Sequence, residues 1–500
     1  MPSAPAALTR RARAVPGVFR RNVAVLVLLA VALGLRVVAM VAIWPGIWFS
    51  DSNGYIAAAA TGRLPGVRVA GYSLVIAPFM HLHSAAGLIV LQHLLGLAIV
   101  VGLYALLVRR GVPRWLAVLG VVPAAIDPYL FNLEHAVMSE TVYHSALVGS
   151  VVLLLWRDDR PRAIAALGAG LLFGYAGVVR SVAIPLVAIV VVYLLVRRVG
   201  WRAFVAFAVG WALVAGGYAT MFDVQHGVFA FERAGGRFLY ARVATFADCP
   251  TLKGLPANER FLCPDPRNLH NTNWYLWSKH SPIRGVPNRD PRVRAFAVRV
   301  IRAHPLAYAR VTFGGVGHYF LPGHPIGANG YSPVPWQWPM DPLHWNFQDY
   351  RGPVRLGIPS LRKGHKNVEP NVYVAELHPH PRANVGASQF LHRFQTVVYT
   401  YGPLEAALFV LVLVAAIARR GAFRLRLDAA FLAMTTMAAL IVTQALSVFS
   451  YRYGLIMVVL LPPAAAMAGA ALLEGRRRRR PREVATRRSG PATAETAAVG

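Results

Sequence analysis

Apolar positions along this chain come in long blocks, and the charged positions gather between them. About 20 apolar residues cross the hydrocarbon core of a bilayer. Backbone groups in lipid need internal partners, so such blocks predict helices. The two-residue alternation of a membrane barrel is absent. The pattern predicts ten spans, at residues 23–44, 85–108, 114–130, 138–156, 161–179, 182–196, 202–221, 396–418, 428–448 and 453–473. Span 114–130 carries Pro123 and ends on Asp127-Pro128, which predicts a tilted or broken helix. "GYSLVIAPFMHLH" (71–83) is too short to cross and suits a half-buried or interfacial helix.

Residues 222–395 hold no block able to span and are rich in Pro, Trp, Tyr, His and Asn. They predict an extracytoplasmic domain. Within it, "DPRVRAFAVRVIRAHPLAYARVTF" sets Val293, Phe296, Val300 and Ile301 on one helical face, with arginines opposite. Packing on the domain is preferred for that face over lying on the membrane surface. "GHYFLPGHPIGANGYSPVPWQWPMDP" reads as ordered loop. The expected fold is an all-α polytopic membrane protein of about ten helices, with the domain inserted before the last three. Its parts are a basic N-terminus (1–22), a first membrane module (23–221, with outer loop 45–84), the inserted domain (222–395), a second module (396–473) and a basic tail (474–500) expected to be disordered.

Composition agrees: 56% of the 500 residues are hydrophobic and the mean hydropathy is +0.46, too apolar for a soluble chain of this size. The net charge of +31 would suggest nucleic acid in a soluble protein. Here about half of the basic residues sit in "RRARAVPGVFRR", "RRGVPR", "WRDDRPR", "RRVGWR", "ARRGAFRLR" and "GRRRRRPR", the short segments between alternate spans. That is the positive-inside pattern. It predicts a multi-pass plasma-membrane protein with both termini cytoplasmic and the bilayer, not nucleic acid, as partner. The first apolar run is too long for a signal peptide and reads as an uncleaved span. Cys249 and Cys263, in "ADCPTLKGLPANERFLCPDP", lie in an outside loop and are expected to pair as a disulfide.

Four polar features fall on or near the outer face: Asp51 after the first span; Glu134, His135 and Glu140 around the outer start of another; Arg180 between two spans; Arg452 at the start of the last. Ionisable groups beside spans are costly and usually face a cavity. Each has a plainer role. Asp51 suits the N-cap of a helix starting at Ser52, and Glu140 suits a structural ion pair. The arginines can snorkel to headgroups. His135 suits a polar edge and Glu134 a loop carboxylate. Taken as a set, two carboxylates and two arginines suit transfer from a lipid-phosphate donor. A carboxylate takes a proton from an acceptor hydroxyl, and the arginines hold the departing phosphate. The stretch 71–83 would help wall a groove for the lipid.

The motifs carrying these residues are "SDSNGYIAAAATGRLPGVRVAGYSLVIAPF" (Asp51, Tyr55), "VMSETVY" (Glu140), "VVRSVAIP" (Arg180) and "YRYGLIMVVLLPP" (Arg452, Tyr453). In order and sidedness they resemble the GT-C superfamily of polyprenyl-phosphate-sugar-dependent glycosyltransferases, which includes protein O-mannosyltransferases and lipid A aminoarabinose transferases. The resemblance covers roughly residues 20–220 and 396–475. It implies an inverting transfer, with Asp51 as general base and Arg180 and Arg452 on the donor phosphate. Glu140 would orient a sugar or an arginine. Tyr55, Glu134, His135 and Tyr453 are further pocket residues. The donor is a polyprenyl-phosphate-linked sugar, and the acceptor a glycan, lipid or protein hydroxyl. The chain departs from the many relatives with two adjacent acids in this loop, since Ser52 follows Asp51. A divalent metal is left open. The alternatives are a transporter or flippase of lipid-linked sugars, against which no internal repeat is found, and a non-catalytic envelope scaffold.

Overall fold

The computed structural model describes residues 4–265, 272–287, 290–323, 336–342, 347–349, 352–354, 376–377, 381–418, 422–447 and 449–477. The tail expected to be disordered lies outside the described residues beyond 477, as does the middle of the Pro/Gly-rich loop, 324–335. The described chain is mostly helix. The only paired strands described form two short antiparallel pairs, Ile43–Trp44 with Arg382–Ala383 and Phe347–Asp349 with Gly352–Val354.

The first module runs through α1 (Ala4–Ala42), α2 (Ser50–Thr61), α3 (Gly71–His81), α4 (Ala85–Arg109), α5 (Arg114–Ile126), α6 (Pro128–Glu134), α7 (Glu140–Leu155), α8 (Ala163–Val179), α9 (Ala183–Arg197) and α10 (Trp201–His226). The insertion contributes α11 (Gly235–Val243), α12 (Thr272–Trp277), α13 (Pro291–Ala303) and α14 (Pro305–His318). The second module holds α15 (Val385–Val397), α16 (Gly402–Ile417), α17 (Phe423–Leu446), the one-turn α18 (Tyr451–Gly454) and α19 (Ile456–Arg477).

Among the described residues, five helices are long and apolar enough to cross a membrane: α1 from Arg20, α4, α10, α17, and α18 with α19 from Tyr451 to Glu474. Two bent pairs bring the number to seven: α5 with α6 (55°) and α15 with α16 (49°). The apolar helices α7, α8 and α9 are shorter, within 15–17 residues.

The break after α5 has a local cause. A residue before proline is pushed out of the helical region, and Asp127, before Pro128, is extended at φ −61°, ψ 118°. Its carboxylate then caps α6, accepting from Tyr129 N at 3.0 Å and Leu130 N at 3.2 Å, and its second oxygen accepts from Thr400 N at 2.8 Å. The two bent pairs thus meet at one aspartate. The segment 71–83 is a short helix, as its length required. α3 packs on α2, α4 and α8.

Helices α8 and α10 pack closely because small residues face each other. A Cβ on Gly170 or Gly210 would collide with the other helix's backbone, the arrangement by which membrane helices gain van der Waals contact. The ends where the basic clusters lie are tied by ions. Asp428 on α17 accepts from Arg110 Nε (3.0 Å), Tyr193 OH (2.7 Å) and Arg197 Nη1 (3.2 Å), and Asp158 also pairs with Arg110.

The insertion has its own small core. Val293, Phe296, Ala297 and Val300 of α13 are buried with Tyr240, Leu262 and Tyr275, while Ile301 packs at the edge. Cys249 and Cys263 form a disulfide, with Cα atoms 5.9 Å apart. The insertion docks on α17 and the turn after it, at the end away from Asp428: Arg242 Nη2 donates to Gln444 Oε1 (2.7 Å), Tyr308 OH to Ala445 O (3.0 Å) and Tyr319 OH to Ser450 O (2.9 Å). Its boundaries differ from the hydropathy pattern. α10 continues to His226 before Gly227, at φ 65°, ends it. α15, within the expected domain, packs on α1 and α6 instead.

Candidate functional site

The end of the bundle opposite the basic clusters gathers side chains far apart in sequence. α2 supplies Asp51 and Tyr55, and the loop after it Arg68. Glu140 opens α7, and Ser139 precedes it. Arg180 sits where α8 ends, extended at φ −145°, ψ 119°. Arg452 and Tyr453 lie on α18, the single turn that leads into α19.

These side chains form one alternating chain of charge. Arg68 Nη2 lies 3.0 Å from Asp51 Oδ1, and Arg452 Nη2 lies 2.9 Å from Asp51 Oδ2. Arg452 Nε is 3.4 Å from Glu140 Oε1, and Arg180 Nη1 is 2.5 Å from the same oxygen. Arg180 also donates to Ser139 Oγ (3.3 Å), which accepts from Tyr55 OH (3.2 Å). Aromatic faces hold the guanidiniums in place: Arg68 over Tyr55, Arg180 over Tyr453, and Arg452 over both Tyr453 (4.9 Å) and Trp336 (5.0 Å).

Three arginines face two carboxylates, so the cluster carries one excess positive charge in a site where Glu140 is only 2% exposed. Burial alone pushes the Asp51 carboxyl up, but the Arg452 and Arg68 guanidiniums outweigh it and hold Asp51 well below the usual carboxylate range. A cavity of about 20 Å³ is lined by Glu140, Tyr143, His144, Arg180, Arg452 and Tyr453. It has room for a water molecule. Glu140 Oε2, Tyr143 OH and His144 Nδ1 are buried without a hydrogen-bond partner among the described residues.

Asp51 does not cap α2. The helix begins at Ser50, one residue before Asp51, and Phe49 N donates to Ser52 Oγ at 2.9 Å. Asp51 therefore sits inside the first turn with its carboxylate turned to the arginines.

Glu134 and His135 belong to a second, separate cluster. Glu134 is buried and takes a bidentate contact from Arg36 of α1, 2.7 Å to each oxygen. His93 Nδ1 lies 3.1 Å from Glu134 Oε2, His93 Nε2 3.1 Å from His135 Nδ1, and His135 Nε2 2.7 Å from Ile43 O. Gly96 leaves the room that the Glu134 carboxylate fills. This array joins α1, α4 and α6 rather than lining the cavity. The disulfide lies apart from both clusters, in the insertion.

Arg68, Trp336, Tyr143 and His144 were not singled out by the sequence. Arg68 had a signal, as a basic residue in an outer loop that the positive-inside pattern leaves poor in Lys and Arg. Trp336 had none, since only folding brings it to Arg452. Among the described residues no group of three or more His, Cys, Asp or Glu comes together to hold a metal ion.

Comparison with models of protein families, with curated proteins and with solved structures gives no match.

Proposed function

We propose that the chain is an integral membrane sugar transferase. It takes a sugar from a polyprenyl-phosphate donor and places it on a hydroxyl of an envelope glycan, lipid or secreted protein at the outer face. In this reading the five long helices, the two bent pairs and the three shorter apolar helices make ten spans, with both termini cytoplasmic. The supporting observation is the single cluster that joins Asp51 to Arg452, 401 residues away, and Glu140 to Arg180. The GT-C resemblance of the same four positions adds to it.

The chemistry follows from the charges. A lipid-phosphate sugar carries one negative charge, which offsets the one excess positive charge of the arginines. Asp51 accepts the acceptor's proton as the oxygen attacks the anomeric carbon from the face opposite the phosphate. The carbon–phosphate-oxygen bond breaks and its electron pair leaves with the phosphate, which becomes a dianion. Asp51 is then neutral, so the cluster and its ligand again sum to zero. Arginines placed where that second charge develops stabilise the transition state, an effect worth about 3–4 kcal/mol per well-placed donor. Glu140 fixes Arg180 and leaves its second oxygen for a sugar hydroxyl.

Mass spectrometry of envelope glycans and lipids from a deletion strain and from an Asp51→Asn strain tests the reading. The same sugar is expected to be lost in both. A full complement in the Asp51→Asn strain removes the base role. Donor accumulating on the inner leaflet turns the assignment to a flippase.

A further inference from the structure

The cavity beside the arginines admits a water molecule, not a phosphate. One guanidinium nitrogen of Arg68 and one of Arg452, donors that a phosphate could use, are taken by Asp51. Asp51 spans two arginines, Arg68 and Arg452, with one oxygen on each. This is the geometry in which a phosphate would bridge the same pair.

The two carboxylates are not held alike. Glu140 is 2% exposed and its contact with Arg180 is 2.5 Å. Asp51 is 26% exposed, and its partners are at 2.9 and 3.0 Å. Ion pairs open to solvent are weak, and buried ones are costly to break. Asp51 is therefore the more accessible of the two carboxylates, and the one an incoming anion meets first. Arg452 remains flanked by Trp336 and Tyr453, and Arg68 by Tyr55, so the guanidiniums stay in place when the carboxylate leaves.

We propose that Asp51 is a latch on an anion site: it occupies Arg68 and Arg452 until a phosphate displaces it, and only then is it free to act as a base. Arg68 thereby becomes the third phosphate-holding residue. The proposal rests on the reading of Arg180 and Arg452 as phosphate-binding groups and adds an order of events to it. A free Asp51 next to an empty site would gain nothing. A latched Asp51 becomes basic only when the donor has arrived, which limits loss of donor to water. Burial pushes the carboxyl of nearby Glu232 up to about 7. It lies 3.5 Å from Ser181 Oγ, and the Arg68 guanidinium draws its carboxyl the other way, toward the charged form.

The test uses the full chain in detergent, with inorganic phosphate and a short-chain polyprenyl phosphate, neither bearing a sugar, as probes. Isothermal titration compares wild type with Asp51→Asn and Arg452→Gln. Removing the latch is expected to tighten phosphate binding about tenfold, the gain when the open arrangement is populated about one part in ten. Arg452→Gln is expected to weaken it about tenfold or more. Equal or weaker binding by Asp51→Asn, with Arg452→Gln still impaired, overturns the latch and leaves the phosphate site standing. Failure of the wild type to bind either probe removes both. A second measurement needs no variant: carbodiimide labelling of Asp51, read by mass spectrometry, is expected to accelerate when phosphate is added. Unchanged or slower labelling overturns the proposal.

Discussion

Two substitutions at the Asp51–Arg452 cluster are expected to rank in an order that burial alone would reverse. Asp51→Asn leaves Arg68, Arg180 and Arg452 facing Glu140 alone, an excess of two positive charges. Arg452→Gln leaves two matched pairs, Asp51 with Arg68 at 3.0 Å and Glu140 with Arg180 at 2.5 Å. Arg452 is the more buried of the two residues, 12% exposed against 26% for Asp51. Two unit charges about 4 Å apart interact by roughly 4 kcal/mol at an effective dielectric of 20. Breaking a buried pair costs about 3–5 kcal/mol, whereas an exposed pair contributes about 1 kcal/mol or less. Asp51 lies between those limits, so Asp51→Asn is expected to cost about 2 kcal/mol and Arg452→Gln about 1 kcal/mol or less. Thermal unfolding of the purified chain in detergent reads the order, and added phosphate should narrow the gap by supplying the missing negative charge. A lower midpoint for Arg452→Gln than for Asp51→Asn, with no recovery in phosphate, would refute the charge-excess reasoning.

Other outcomes follow from single features. Gly96→Val is expected to drive Glu134 off Arg36 and cost about 3–5 kcal/mol. Gly102→Ala, with its nearest neighbour 3.7 Å from the added carbon, should change the melting midpoint little or raise it. Burial raises Glu232 from 4.5 to about 7. An acid whose pKa is raised on folding loses stability as pH climbs from the unfolded value to the folded one. Glu232→Gln should therefore match wild type near pH 4 and become more stable by about 1–2 kcal/mol at pH 8, as read by pH-dependent melting. Reducing the Cys249–Cys263 bond, or Cys249→Ser, should cost the insertion about 3 kcal/mol for a loop of this length, seen as faster proteolysis within residues 235–303.

The apolar blocks and their punctuation carried most of the helical layout. Pro123 and Asp127-Pro128 marked a break that the structure places after Ile126, because the residue before proline leaves the helix. Helix ends were less legible, since α10 runs five residues past the apolar block, through Phe222 and Val224 interleaved with Asp223, Gln225 and His226. At the site, Asp51, Glu140, Arg180 and Arg452 were legible as charges beside spans on a shared side. Glu134 was named there too, but its role was not legible, because its partner Arg36 hides within the first apolar run, in a block whose average masks one charge. A lone arginine inside a span demands an acid, and that rule could have found the pair. Trp336 was beyond reach, since nothing local to it distinguishes it from the other tryptophans of the insertion.

The Arg36–Glu134 pair also bears on how the chain is made. The two residues are 98 apart, so at about 5–20 residues per second the arginine emerges roughly 5–20 s before its acid. During that interval the first helix carries an unmatched guanidinium into a lipid-facing setting, at a cost of about 2.5–3.5 kcal/mol on the translocon scale. Stable insertion of α1 is thus expected to wait for α6, the fifth helix after it, which brings Glu134.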